Sequence, residues 1–443
     1  MKFISGLKPL QVLALGYVAV ILTGAVLLSL PIATHGSISF LDAAFTATSA
    51  ACVTGLVVFD TFQTFAPFGQ AIILALIQIG GLGFMLMIAS FSILLGRRIG
   101  LRERSLVMES ISGLQIGGIV LLAKRVAIAT AIIEIAGAFL LALRFCPVYG
   151  LSQGIWMGVF HSVSAFCNAG FDLMGAGGFF ISLTDFVYDP LVNLVIIVLI
   201  LLGGLGFLVW NDLITNRFHF RKYRLHTKIM LVSSALLVFG GAALFFFFEK
   251  DAAFKGMTFG QRALASLFQS VTPRTAGFNT VAMDSLSEPG ALITILFMFI
   301  GGGSGSTAGG VKVTTFVVAY LTVRAFIGRK RDIETLGRRL DGAAPRKALS
   351  QIGLHAALAF AGCVALCCEG ASIKEAMFES VSAISTVGLS LGITSTLSVL
   401  SKLVIMFLMY VGRVGSLSFA MAMSEKHMEA TNVRHMEEKI IIG

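Results

Sequence analysis

Apolar residues along this chain fall into long uninterrupted runs, without the short periods of amphipathic helices or half-buried strands. One set of runs covers about 10–30, 119–145, 228–248 and 348–368, and a second covers about 69–95, 190–210, 291–327 and 402–423. A helix needs roughly 20 apolar residues to cross a hydrocarbon core, and each run can supply them. The pattern predicts an all-α polytopic membrane protein with eight transmembrane helices. The first run continues to Leu30 without a small-residue cleavage site, so we expect an uncleaved helix and no signal peptide.

Between the two runs of each pair lies a shorter segment that is too polar to span. Aligned on one glycine, these segments read DAAFTATSAACVTGL (42–56), MGVFHSVSAFCNAGF (157–171), LASLFQSVTPRTAGF (264–278) and EAMFESVSAISTVGL (375–389). Their similarity and nearly equal spacing indicate an internal repeat. Irregular backbone at membrane depth is tolerated only where it lines water or is buried in protein. Each unit therefore predicts a helix, a re-entrant pore loop and a second helix, and four tandem units predict pseudo-four-fold symmetry.

The repeat sets the expected domain boundaries. We place repeat 1 at 1–100, repeat 2 at 101–225, repeat 3 at 226–345 and repeat 4 at 346–424, with a C-terminal tail at 425–443. The tail ends in three isoleucines at 440–442, which suggests burial against a partner at a dimer interface; a disordered end is the alternative.

The glycine of each pore loop suggests ion chemistry. A cation crossing a membrane must exchange its water shell for oxygen ligands, and four backbone strands can point their carbonyl groups at one axis. Glycine reaches backbone angles that other residues avoid, and the short helix before it directs its partly negative C-terminal end at the cavity. The sequence therefore predicts a site for an alkali cation at the filter carbonyl groups of twelve residues. These are Val53, Thr54, Gly55, Asn168, Ala169, Gly170, Thr275, Ala276, Gly277, Thr386, Val387 and Gly388.

A second glycine-rich pattern lies in the later helix of each repeat. IGGLGF (79–84), LGGLGF (202–207) and VGRVGS (411–416) are typical of closely packed membrane helices. The segment GGGSGSTAGGVKVTT (301–315) is too rich in glycine and hydroxyl residues for a helix interior, so we expect it to break the last helix of repeat 3.

Composition and charge place the chain in a membrane. Hydrophobic residues make up 56% of the sequence and charged residues 13%, against roughly 25% charged in soluble domains. The net charge is +10, and the Lys and Arg residues cluster in the segments that join the repeats, at about 97–125, 217–228 and 324–347. This asymmetry predicts cytoplasmic connecting loops and cytoplasmic termini in the plasma membrane, with pore loops that enter from outside. We therefore do not expect nucleic acid as a partner.

Acidic residues predominate on the opposite side, where solvated loop charges and cation attraction are both possible roles. They are Asp42, Asp60, Asp172, Asp185, Asp189, Asp284, Glu288, Glu375 and Glu379. The sequence contains seven His but neither HExxH nor GxSxG, and its six Cys form no CxxC. We therefore do not expect an enzyme or a cofactor bound by this chain.

The four pore loops, TPRTAGF in the third loop, the glycine-serine break, VGRVGS and the terminal EEKIIIG together resemble the Trk/Ktr/HKT superfamily of potassium transporters, especially the KtrB-type membrane subunits. The resemblance implies potassium uptake through the four-glycine filter. It also implies a homodimer in the lipid bilayer, seated on a cytosolic ring of RCK-type nucleotide-binding regulatory subunits. A sodium-dependent or sodium-permeable transporter of the same fold is the alternative, and Gly55, where some members carry serine, favours potassium.

The same resemblance implies a gate below the filter. The residues it assigns to the intramembrane loop and its facing arginine are Gly302, Gly303, Ser304, Gly305, Ser306, Thr307, Ala308, Gly309, Gly310, Lys312 and Arg413. A charge inside a membrane span is a candidate functional residue, and Arg413 could instead be only a structural partner. Glu134 is a second intramembrane charge, for which we expect a neighbouring polar partner.

Overall fold

A computed structural model of the chain describes residues 9–83, 86–87, 119–217, 219–330 and 332–424. The described part is mostly helical. Its α-helices are α1 (Pro9–Leu28), α2 (Phe40–Ala51), α3 (Thr61–Thr64), α4 (Pro67–Leu82), α5 (Ile119–Tyr149), α6 (Leu151–Cys167), α7 (Pro190–Leu205), α8 (Phe207–Asn216), α9 (Leu225–Phe248), α10 (Phe259–Val271), α11 (Glu288–Phe299), α12 (Val313–Ile327), α13 (Ala344–Cys368), α14 (Ile373–Ile384), α15 (Val399–Val414) and α16 (Ser416–Ser424).

The remaining elements are short. Single turns of 3₁₀-helix occupy Thr184–Phe186, Phe220–Lys222, Met283–Ser285 and Ile393–Thr396. Strands β1 (Glu334–Thr335) and β2 (Arg338–Arg339) pair antiparallel in a small hairpin within the basic segment that follows α12.

One order of elements recurs along the chain. A long apolar helix (α1, α5, α9 or α13) is followed by a shorter helix (α2, α6, α10 or α14) whose residues are largely buried, and then by a further apolar helix. The short helices form the centre of the molecule, where Phe45, Phe160 and Phe378, each ten residues before its pore-loop glycine, are fully buried, as is Phe268, nine residues before Gly277. The hydrophobic core therefore lies around the pore-loop helices, and the long helices surround it.

Local sequence explains where the short helices begin. Ser39 caps α2 by accepting a hydrogen bond from the Asp42 amide at 3.1 Å. Ser372 and Glu375 form a capping box at the start of α14, in which each side chain satisfies a free backbone amide of the first turn. Such caps fix the first residue of a short helix that could not persist in isolation.

Helix length supports fewer spans than the sequence predicts. Among the described residues, α1, α5, α9 and α13 are long and apolar enough to cross a membrane, and α7 with α8 adds a fifth only if that bent pair is one span. The second helix of each unit is shorter than its apolar run. The expectation of eight transmembrane helices is therefore not confirmed by the helices themselves.

Glycine is the reason that the second helices stop early. Gly83, Gly206 and Gly415 end α4, α7 and α15, with φ of 83°, 100° and 95°. Only glycine adopts such angles without strain, and α8 leaves α7 at an angle of 95°. The sequence predicted a break only in repeat 3, so its interpretation of the other glycine motifs as packing alone was incomplete.

The packing function of those motifs is nevertheless present at an earlier glycine. A Cβ on Gly80, Gly203 or Gly412 would collide with a backbone carbonyl oxygen at the end of the neighbouring pore-loop helix, that of Ala51, Phe166 or Ile384 respectively. Each motif thus supplies one glycine for close approach and another for the helix end.

The C-terminal tail, with its isoleucines, and the basic segment 97–104 lie outside the described residues.

Candidate functional site

The four predicted filter glycines lie in a closed ring. A Cβ on any of them would meet the carbonyl oxygen that precedes the next glycine of the ring, and the glycine after repeat 4 is that of repeat 1. The contacts run from Gly55 to Ala169 (2.5 Å), from Gly170 to Ala276 (2.9 Å), from Gly277 to Val387 (2.6 Å) and from Gly388 to Thr54. Four sequence-distant segments therefore meet around one axis, and at each position a side chain larger than hydrogen has no room.

The backbone of each filter segment is left-handed at two positions. The glycines have φ of 92°, 70°, 79° and 91°, and the residue two positions earlier is also left-handed: Val53 (57°), Asn168 (60°), Thr275 (70°) and Thr386 (52°). Positive φ in a β-branched residue is a true outlier that costs about 1–3 kcal/mol and persists only where surrounding structure imposes it. The same strain at the same position in all four segments marks them as one functional unit.

Serine side chains hold three of the segments. Ser49 and Ser382 each accept a hydrogen bond through Oγ from the amide of the filter glycine at 3.1 Å, and Ser164 donates one to Phe171 O at 2.7 Å. The three serines stand six residues before their glycines. Sequence reasoning did not select them, although the recurring Ser-Ala pair was a usable signal.

Repeat 3 departs from this arrangement. Val271 occupies the serine position, and Thr272, one residue later, donates a short hydrogen bond to Phe278 O. The Ala276 amide bonds to Thr272 O at 2.9 Å, one residue closer than in the other segments. The neighbouring Arg274 is buried and donates to Ser234 Oγ at 3.1 Å. The third segment is thus shaped by different side chains but reaches the same ring.

The glycine-rich segment after α11 forms an irregular loop directly beside the filter segments. Its amides cap the end of α7: Gly303 N donates to Gly204 O at 2.8 Å and Thr307 N to Gly203 O at 3.3 Å. Thr307 Oγ1 also donates to Phe166 O at 3.2 Å. These bonds satisfy carbonyl groups that a helix end leaves free.

The loop also lies against the fourth filter segment. A Cβ on Gly309 would collide with the Thr386 side chain, and one on Gly310 would lie 3.3 Å from Ser385 Cβ. The loop closes on itself through a bridge between Ile300 and Val311, with Gly301 N donating to Val311 O at 2.8 Å. Residues 302–310 therefore contact both the second and the fourth filter segments.

Two cationic side chains donate hydrogen bonds to carbonyl groups of this loop, Arg413 from the end of α15 and Lys312 from the start of α12. The Arg413 guanidinium donates short hydrogen bonds to Thr307 O and Gly80 O, and a further one to Gly81 O at 3.1 Å. Lys312 Nζ donates to Ala308 O at 2.6 Å and to Gly309 O at 3.2 Å. Carbonyl groups at a helix end carry partial negative charge, which accounts for a cation at the end of α4.

Two cavities lie on opposite sides of the ring and loop. One, of about 340 Å³, is lined by all four filter glycines together with Asp60, Asp172 and Asp284. The other, of about 530 Å³, is lined by Ser304, Lys312 and Arg413 among others. The cavity at the filter is acidic and the one below the loop is basic, so a cation would meet favourable charge on one side and unfavourable charge on the other.

Two further polar residues have partners. Gln78 Nε2 donates to Glu134 Oε2 at 3.2 Å, so the expectation of a neighbouring polar partner for Glu134 is confirmed. His161 bonds within the pore-loop region only, through Met157 O and the Leu173 amide. Its surroundings supply neither a nucleophile nor a second titratable group at bonding distance among the described residues.

Comparisons with known proteins identify similar sequences. A family model described as "TrkH: Cation transport protein" matches residues 14–435. The Ktr system potassium uptake protein B of Bacillus subtilis is 40% identical over 438 residues, which are 98% of this chain and 97% of that one. The potassium/sodium uptake protein NtpJ of Enterococcus hirae is 38% identical over 448 residues, covering 99% and 98%.

A solved structure shares the fold. The crystal structure of the potassium transporter TrkH from Vibrio parahaemolyticus matches with a TM-score of 0.72, covering 93% of this chain and 85% of that chain. The two sequences are only 20% identical, so this likeness supports the architecture alone.

Proposed function

The chain belongs to the TrkH family of cation transport proteins, and from that membership we propose that it takes up potassium through a selectivity filter built by its four glycine segments. Membership of this family agrees with the expectation that the chain is not an enzyme. Relatives named as potassium uptake proteins and aligned over nearly their whole length support K⁺ as the transported ion.

The observation that carries the proposal is the closed ring of Gly55, Gly170, Gly277 and Gly388. Dehydrated K⁺ needs several oxygen ligands at once, and carbonyl groups converging from four sides supply them without a net charge that would bind the ion too tightly. The carbonyl groups that would act as ligands belong to the twelve filter residues predicted from the sequence. The acidic cavity at the ring would concentrate cations at its mouth.

The loop at 302–310 is proposed to obstruct the path below the filter. Its contacts with Thr386 on one side and with Arg413 on the other support a position across the route between the two cavities. Arg413 and Lys312 add positive charge where an emerging cation would have to pass. Opening would then require the loop to leave the end of α7 and the Arg413 guanidinium.

The membrane arrangement is proposed on the charge pattern. Four units, each with two membrane-crossing segments around a pore loop, give eight spans when the glycine-broken helices are counted with their continuations. The basic connecting segments then lie in the cytoplasm of a plasma membrane protein, with both termini on that side. Accessibility labelling of single cysteines at Gly36 and Gly342 in intact cells, expected outside and inside respectively, tests this arrangement.

The partners are proposed on the resemblance alone. A homodimer on a cytosolic ring of nucleotide-binding regulatory subunits would place control of the loop outside this chain. Light scattering of the purified protein would report its oligomeric state, and a monomer in every mild detergent would argue against the dimer.

Flux measurement tests the function directly. The purified protein in liposomes should conduct K⁺ in preference to Na⁺, and Gly388→Ser should weaken this preference because Gly388 has no room for a side chain. Gly36→Ser, at a glycine with open space around it, is the matched control and should retain it. Equal Na⁺ and K⁺ flux would favour the sodium-permeable alternative. If the protein conducts neither ion, a variant lacking 303–309 separates a closed path from a wrong function, because only the former would regain flux.

A further inference from the structure

Glu379 is a buried carboxylate that the ion path described above does not use. It lies in α14, nine residues before Gly388, and its side chain is 0% exposed. Oε1 accepts a short hydrogen bond from the Thr394 hydroxyl, whereas Oε2 has no partner among the described residues. Burying a carboxyl group is costly unless hydrogen bonds compensate for lost water. A half-satisfied carboxyl group in the core therefore suggests a role other than packing.

The hydrogen bond from Thr394 connects Glu379 to the outer mouth. Thr394 Oγ1 lies 2.9 Å from Ser390 Oγ, which in turn accepts from the Gly392 amide at 3.0 Å. Ser390 and Thr394 both line the acidic cavity at the filter. Since Ser390 is only two residues beyond Gly388, the chain of contacts reaches the segment by which an ion would approach the ring.

The position equivalent to Glu379 carries a different residue in each of the other three units. Nine residues before the filter glycine stand Thr46, His161 and Phe268 in units 1, 2 and 3. His161 Nε2 accepts from the Leu173 amide at 3.3 Å, three residues after Gly170, so it also holds an outer segment. Thr46 instead donates to Asp42 O of its own helix at 3.0 Å, and Phe268 has no polar atom.

Units 2 and 4 face each other across the ring, because Gly170 neighbours Gly55 and Gly277 while Gly388 does the same from the other side. The two polar supports therefore stand on one diagonal of the filter, and the two units without them stand on the other. Pseudo-four-fold symmetry is thus reduced to two-fold symmetry at the outer mouth.

We propose that Glu379 is a positioning residue for ion selectivity, which holds the outer segment of the fourth filter loop from behind through Thr394 and Ser390. This inference rests on the proposed function and names a residue that sets its selectivity. Glu379 is buried and does not line the cavity itself, so it would act through the segment and not by touching the ion. When the outer segment is held in place, the spacing of its ligands is fixed and favours one ion over the other. When the segment is released, its ligands can adjust to either K⁺ or Na⁺.

Ion binding to the purified full-length protein tests the proposal without requiring an open path. Isothermal titration with K⁺ and with Na⁺ gives the ratio of the two affinities. Glu379→Leu removes the hydrogen bond and should lower the K⁺/Na⁺ affinity ratio by about tenfold, the effect of leaving a buried hydroxyl without its partner. Glu379→Gln keeps an oxygen that accepts from Thr394 and should retain the ratio. Thr46→Val, at the equivalent position of unit 1, is the control and should also retain it.

Thr394→Val removes the same hydrogen bond from the other end, so it decides the question if Glu379→Leu does not fold. It should reproduce the lowered ratio, and combined with Glu379→Leu it should add little, because both changes break one contact. An unchanged ratio in Glu379→Leu or Thr394→Val would overturn the proposal, and so would an equal loss in Glu379→Gln, which would assign the effect to charge. If the unchanged protein binds K⁺ and Na⁺ equally, the proposed function fails as well.

Discussion

The guanidinium of Arg413 donates a hydrogen bond to the carbonyl oxygen of Thr307, which joins the end of α15 to the glycine-rich loop. The same side chain bonds to Gly80 O and Gly81 O at the end of α4. One residue therefore fastens the loop to a helix from the opposite end of the sequence. In the gate proposed above, this side chain would hold the loop in its closed position.

Replacing Arg413 should release the glycine-rich loop and raise basal flux. Arg413→Met keeps much of the side-chain length but removes both the hydrogen bonds and the charge, so basal K⁺ flux into liposomes should rise by about tenfold or more, the effect of losing at least one charge-assisted hydrogen bond. The measurement is flux through the purified protein without regulatory subunits.

Arg144→Met is the matched control for removing an arginine. Arg144 pairs with Asp189 at 2.6 Å, far in sequence from the loop, and its side chain is 53% exposed. Its replacement should leave basal flux unchanged. Flux in Arg413→Met that equals that of the control would assign Arg413 a structural role only.

The sequence was sufficient to identify the ring because the repeat itself carries the information. Four aligned glycines can be found in one chain, and their convergence follows from pseudo-symmetry. Arg413 could also be found from the sequence, because a charged residue within an apolar run is unusual. The loop of repeat 3 was identified by a density of glycine that no helix interior tolerates.

Other features depend on contacts that no local pattern reveals. The left-handed backbone at Val53 and Thr386 contradicts the usual preference of β-branched residues, and the surrounding segments impose it. The helix ends at Gly83, Gly206 and Gly415 look like packing motifs in sequence, because glycine serves both purposes. The bond between Glu379 and Thr394 joins residues that are separated by the filter itself.

Close helix packing predicts a difference between two helical glycines. Gly80→Ala places a Cβ against Ala51 O, so it should lower the free energy of unfolding by about 1–3 kcal/mol, as overpacking does. Gly240 in α9 has no atom within 4 Å of an added Cβ, and Gly240→Ala should stabilise the helix by about 0.5–1 kcal/mol. Thermal unfolding in detergent measures both. Similar shifts in the two variants would contradict the packing assigned to Gly80.

Acidification outside the cell should slow uptake because it protonates Asp172. This residue lies in the segment after Gly170, outside the membrane-spanning helices. Burial raises the pKa of Asp172 to about 6, the Met174 amide opposes this, and the nearby Asp60 carboxylate adds to it. Asp172 is therefore ionised above pH 6 and neutral below it, so the mouth loses one negative charge as the pH falls from 7 to 5. K⁺ uptake at low K⁺ should fall about two- to fivefold, the effect of one unit charge a few ångströms away in water.

The variant Asp172→Asn should remove this pH dependence and show at pH 7 the rate that the unchanged protein shows at pH 5. Asp284→Asn, which neutralises another acid of the same cavity, should lower uptake at every pH and keep the dependence. A pH profile that persists in Asp172→Asn would assign the titration to a different group.

The last prediction concerns an ion pair that joins the two ends of the chain. Lys402 Nζ lies 2.7 Å from Asp42 Oδ1, and the side chains are only 15% and 12% exposed, so α15 is tied to the first pore-loop helix. Lys402→Met leaves a largely buried carboxylate without its partner and should lower the free energy of unfolding by about 3 kcal/mol. The double variant Asp42→Asn with Lys402→Met should regain much of the loss, since no unpaired charge then remains.

Lys374, paired with Glu288 at 2.8 Å but with side chains 36% and 76% exposed, is the control. Lys374→Met should cost no more than about 1 kcal/mol, because water and salt screen an exposed pair. Thermal unfolding at low and high salt separates the two cases, and an equally small loss in Lys402→Met would show that this buried pair stabilises the fold no more than the exposed one.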